Sequence, residues 1–77
     1  MSTEYLLFTS SNCPACVEAK NILKRNGVKF KECDVENGGA DIARRYSIYS
    51  VPSLLVLKNG SPDELIVGVQ SRLKELS

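Results

Sequence analysis

The 77-residue chain has no histidine and no tryptophan. The missing imidazole excludes Ser-His-Asp and Cys-His catalysis and every zinc site with a histidine ligand. An excess of one charge is also lacking. Ten Lys and Arg stand against nine Asp and Glu, for a net charge of +1 without a basic tract, so the electrostatics do not point to a nucleic-acid partner. Long apolar runs are absent: the first, Tyr5-Leu6-Leu7-Phe8, follows the polar Met1-Ser2-Thr3-Glu4 and is neither a signal peptide nor a membrane span. Cysteines number three, and Cys13 and Cys16 are too close to staple a secreted scaffold. What remains is a mixture of 43% hydrophobic and 25% charged residues, as in a globular domain. At this length a single core is close to marginal, so one domain over residues 1–77 is expected, soluble and cytoplasmic, with no membrane contact.

Hydrophobic patterning divides the chain into seven elements. Residues 5–9 form a continuous apolar run that reads as a buried central strand, bounded by Ser10-Ser11-Asn12. Asn12 as a cap candidate and Pro14 near the first turn open a helix over residues 13–26, and Gly27 suits its C-terminal stop. Residues 28–35, with Val28, Phe30, Cys33 and Val35 among charges, read as a half-exposed edge strand. Asn37-Gly38-Gly39 breaks it before a short helix over residues 41–46. Residues 53–57 form the most hydrophobic strand candidate. Lys58-Asn59-Gly60 turns the chain into Ser61-Pro62-Asp63, and residues 64–68 complete a hairpin. A last short helix over residues 71–76 is expected, capped by Ser71 and docked by Leu73 and Leu76. The order is βαβαββα, an α/β class in which helices cover the apolar strands. Strand one and strand two can pair in parallel through a right-handed crossover, while the last two strands are antiparallel neighbours.

Chemistry concentrates at Cys13-Pro14-Ala15-Cys16, where strand one meets helix one. Residues at i and i+3 of a helix share a face, so the two sulfurs can close a disulfide with little backbone movement. Unpaired N–H groups at a helix start favour thiolate over thiol. Cys13, nearest that start, is expected to attack a target disulfide, and the more covered Cys16 to resolve the mixed disulfide. Two other readings stand beside this one: a half zinc site lacking ligands, and two incidental core cysteines. Cys33 reads as a structural thiol and Arg44-Arg45 as a solvated helix face.

Asn12-Cys13-Pro14-Ala15-Cys16 followed by a helix, then Ser50-Val51-Pro52-Ser53 before a hydrophobic strand, then Asn59-Gly60 and a strand ending at Gly68, resembles the thioredoxin/glutaredoxin superfamily over residues 4–76. The resemblance implies a minimal thioredoxin-like fold: a four-stranded mixed sheet of order 2-1-3-4 with three flanking helices. It further implies a cis Pro52 facing Cys13 and Cys16, with Val51 offering backbone groups to an extended substrate. Pro14, Val51 and Pro52 are then the substrate-binding residues and Cys13 and Cys16 the catalytic pair, with no cofactor and no metal. The implied activity is dithiol thiol–disulfide oxidoreduction by a monomer acting on disulfide-containing proteins or small disulfides. The alternative is a non-catalytic binding or assembly module, with an Fe–S cluster held through Cys13 in a dimer.

Departures from the pattern bear on the electron donor. The acid that thioredoxins carry six residues before the first cysteine is Leu7 here, which leaves solvent to take the Cys16 proton, and the preceding tryptophan is Asn12. Many glutaredoxins carry a lysine shortly before the motif and a tyrosine inside it, where this chain has Ser10-Ser11-Asn12 and Ala15. Their glutathione-holding glycine pair and acid become Gly68-Val69-Gln70-Ser71, leaving Lys20 or Arg45 as candidates to pair with glutathione carboxylates. A thioredoxin reductase-like flavoprotein is therefore favoured as donor over glutathione.

Overall fold

Leu6, Leu7 and Phe8 are consecutive and all buried, which a strand permits only when both faces of its sheet are covered. The computed structural model, which describes residues 2–76, has that arrangement. Strand β1 (Thr3–Thr9) leads to helix α1 (Pro14–Arg25), β2 (Lys31–Asp34), α2 (Ala40–Arg45), β3 (Ser53–Lys58), β4 (Ser61–Val67) and a C-terminal 3-10 helix (Ser71–Glu75). The sheet order is β2-β1-β3-β4. Strands β1 and β2 are parallel, with Leu7 opposite Glu32, and the other pairs are antiparallel. Order and pairing agree with the topology that the resemblance implies.

Alternation along β1 sorts its side chains into two cores. Leu7 packs with Ala19, Ile22 and Leu23 of α1 and with Leu54, Ile66 and Leu73. Leu6 and Phe8 point the other way, into a core with Cys33, Ala43, Ile48, Leu55 and Leu57. Burying one such side chain contributes roughly 1.5–3 kcal/mol, so the two central strands carry much of the fold's stability.

Several boundaries differ from expectation, each for a local reason. Helix α1 starts at Pro14 because Cys13, not Asn12, is its N-cap and stays extended at φ −137°. At the other end Asn26 is the C-cap and Gly27 takes φ +71°. The Gly27 N–H then donates to the Lys24 carbonyl and the Val28 N–H to the Leu23 carbonyl, closing the helix in a Schellman motif. That bond removes Val28 from the strand expected there. Val28 packs under α1 instead, and β2 is four residues long.

Asn59 (φ +54°) and Gly60 (φ +81°) form a two-residue turn between Lys58 and Ser61, which pair. Strand β4 accordingly begins at Ser61, earlier than expected, and it accommodates Pro62 on the sheet edge beside a register shift at Val56/Leu57. The last element is a 3-10 turn whose N-cap is Gln70, not Ser71, although Leu73 docks as expected. Leu76 lies beyond it, in the α1-side core.

Candidate active site

The three-residue loop after β1 delivers Cys13 to the N-terminus of α1. There its Sγ accepts a hydrogen bond from the Cys16 N–H at 3.0 Å, and its carbonyl accepts from the N–H groups of Cys16 and Val17. Pro14 at the next position has no N–H to satisfy and starts the helix at no hydrogen-bonding cost. Cys13 and Cys16 are joined as a disulfide, their Cα atoms 5.2 Å apart. The two sulfurs are not equivalent: Cys13 is half-buried, whereas Cys16 is 1% exposed. Ser11, Asn12, Cys13, Pro14 and the 54%-exposed Val17 line one open depression.

The Val51–Pro52 bond is cis, as the resemblance implied. The Ser53 hydroxyl donates to the Ser50 carbonyl at 2.7 Å and the Gly68 N–H to the Pro52 carbonyl at 2.7 Å, so this loop is tied at both ends. Pro52 itself is buried, and Val51 is half-buried. Among the described residues, neither backbone group of Val51 has a hydrogen-bond partner. Val51 also lines a cleft of about 250 Å³ together with Val35, Ala40, Ile48, Tyr49 and Arg44. Of the residues expected to bind substrate, Pro14 shares the Cys13 depression, Val51 opens onto the cleft, and Pro52 lines neither.

Sequence reasoning missed a polar cluster beside α1. The Thr9 hydroxyl, on a residue 2% exposed, donates to Glu32 Oε2 at 2.8 Å, and Lys20 Nζ lies 3.3 Å from the same oxygen. These bonds, that from Thr9 foremost, hold the Glu32 carboxyl below the usual glutamate range. No sequence spacing links the three residues; the β1–β2 register, with Glu32 opposite Leu7, and the packing of α1 on the Leu7 face bring them together. Lys20, a candidate for glutathione, is thus already partnered. Cys33 is buried in the α2-side core, where desolvation pushes its thiol up, in keeping with a structural role.

A Cys13–Cys16 disulfide at a helix N-terminus after the first strand, with a cis-proline loop before the third, defines a thioredoxin-like domain. The family model described as Glutaredoxin matches residues 6–59, and the chain belongs to that family. A curated glutaredoxin from Pseudomonas aeruginosa is 35% identical over 54 residues, covering 66% of this chain and 64% of that protein, so the match spans less than two thirds of the relative. Thioredoxin from Malassezia sympodialis superposes with a TM-score of 0.82 at 23% identity, over 95% of this chain and 70% of its own. Thioredoxin from Fasciola hepatica gives 0.78 at 22%, over 95% and 75%. These two likenesses bear on the fold. Among the described residues no helix is long and apolar enough to cross a membrane.

Proposed function

We propose that the chain is a dithiol thiol–disulfide oxidoreductase that works through Cys13 and Cys16. The observation that carries this reading is the asymmetric pair: a half-buried Cys13 at the helix N-terminus, bonded to a Cys16 that solvent barely reaches. In the dithiol form the Cys13 thiolate attacks a sulfur of the target disulfide and one target thiolate leaves. Cys16 then attacks Cys13 Sγ, the second target sulfur departs with its electron pair, and the protein is left as the disulfide. Two electrons have passed to the target, which becomes two thiols. The exposed sulfur is the one a target can reach, and the covered one meets only its neighbour.

The substrate segment lies extended along Val51, whose unpaired N–H and C=O can form ladder hydrogen bonds with it, while Pro14 and the Val51 cleft take its apolar side chains. Disulfide-containing proteins are the favoured targets of a cytoplasmic monomer. Glutathione lacks one expected grip, since Lys20 is paired with Glu32, which supports recycling by a flavoprotein disulfide reductase. The test is trapping: Cys16→Ser should accumulate a covalent adduct with a disulfide substrate and Cys13→Ser should not. Equal adduct from both variants would overturn the roles.

A further inference from the structure

Resolution requires the Cys16 thiol to lose its proton, yet at 1% exposure both water access and thiolate solvation are poor. Polar side chains that the fold sets around the first turns of α1 offer the proton a route. On α1 the residue one turn later is Lys20, and helical side chains lie back over the turn N-terminal to their own Cα, here the turn that carries Cys16. Lys20 holds Glu32 at 3.3 Å. On the sheet, Glu32 is held by the hydroxyl of Thr9, the last residue of β1 before the active-site loop. One carboxylate therefore spans from the end of β1 to the second turn of α1, on the sheet face that α1 covers. Its side chain is 40% exposed, so its far side is open to solvent.

We propose that Glu32 accepts the proton of Cys16 in the resolving step, with Thr9 and Lys20 as positioning residues that aim the carboxylate. This rests on the dithiol reading above. The proton passes from Cys16 Sγ to the Glu32 carboxylate, the freed sulfur pair forms the bond to Cys13 Sγ, and the bond from Cys13 to the substrate sulfur breaks. Glu32 then gives this proton to the leaving thiolate or to water, so the carboxylate ends as it began. The charged and polar groups facing Glu32 are Thr9 from β1, Lys20 from α1 and Asp34 on β2, and the first two outweigh the repulsion of the third.

The experiment mixes the dithiol protein with 5,5′-dithiobis(2-nitrobenzoate) in a stopped-flow spectrometer. Attack by Cys13 releases one nitrothiobenzoate and resolution by Cys16 releases the second, giving two phases. Glu32→Gln should leave the first phase unchanged and slow the second on the order of a hundredfold near neutral pH, the lower range for a lost general base. The gap should close as pH rises into the range where the thiol ionises unaided. Glu32→Ala should regain much of the second phase with added formate, which a purely structural role would not give, and Lys20→Met should slow the second phase alone. An unchanged second phase in Glu32→Gln, equal slowing of both phases, or no response to formate would overturn the proposal. Absence of a second phase in the unmodified protein would instead overturn the dithiol reading.

Discussion

The backbone N–H of Cys16 points at the sulfur of Cys13, 3.0 Å away. The residue proposed to attack thus also caps its own helix, and a negative charge there meets the Cys16 N–H and the positive helix end. Cys13 should therefore be alkylated by iodoacetamide ahead of Cys16 in the reduced protein at neutral pH, as read by peptide mass. Faster labelling of Cys16 would reverse the assignment.

The donor can be read from coupled NADPH oxidation with a disulfide substrate present. Thioredoxin reductase alone should support rapid turnover, while glutathione with glutathione reductase should be several-fold slower. Rapid oxidation only in the glutathione system would show that the missing lysine, tyrosine and acid are replaced by contacts elsewhere on the surface.

Gly39 marks a close approach between the β2–α2 loop and the end of β2. Its N–H donates to the Asp34 carbonyl at 2.8 Å, and a Cβ at this position would lie 2.7 Å from that same oxygen. Backbone cannot swing aside as a side chain can. Gly39→Ala should cost about 1–3 kcal/mol, as overpacking does, measured by urea denaturation. It should also weaken substrate turnover, because Val35 and Ala40, on either side of the loop, line the Val51 cleft.

Arg72 and Glu64 tie the C-terminal 3-10 helix to β4 through two hydrogen bonds, 2.8 and 2.9 Å long. The contact, led by the Arg72 hydrogen bonds, lowers the Glu64 carboxyl from its ordinary value. Its stabilisation is therefore present above the unfolded-state value and is lost as pH falls through the lower folded-state value. Arg72→Met should reduce Tm by a few degrees at pH 7, with the difference from the unmodified protein shrinking in acid. A difference independent of pH would mean that packing of the arginine stem, not the ion pair, is what matters.

The central strands were legible because burial on both faces writes a continuous apolar run, as at Leu6, Leu7 and Phe8 or Leu54, Leu55 and Val56. The disulfide pair was legible for a similar reason: Cys13 and Cys16 are joined across one helical turn. Errors arose where a backbone bond overrode composition. Val28 looked like strand, but its N–H closes the helix on Leu23. Ser61-Pro62-Asp63 read as lying ahead of the last strand, but Ser61 already pairs with Lys58 across the Asn59-Gly60 turn. The thiol cap was hidden by Asn12, a better capping residue on average. Least visible was Glu32, an ordinary acid among charges in sequence, whose neighbours Thr9 and Lys20 come from two other elements.

The margins of the sheet bear on how copies of this chain behave at high concentration. One margin, β2, is four residues long and begins with Lys31 and Glu32. The other, β4, offers the 45%-exposed Leu65 and Val67, the kind of greasy rim on which fibrils grow. Yet the same strand contains Pro62, which has no N–H to donate, next to the register shift against β3, and Asp63 and Glu64 follow it. A second molecule aligning there meets an interrupted rail of ion-paired carboxylates in place of a flat ladder. The proline that reads from sequence as lying ahead of the strand thereby acts as a guard against amyloid-like stacking.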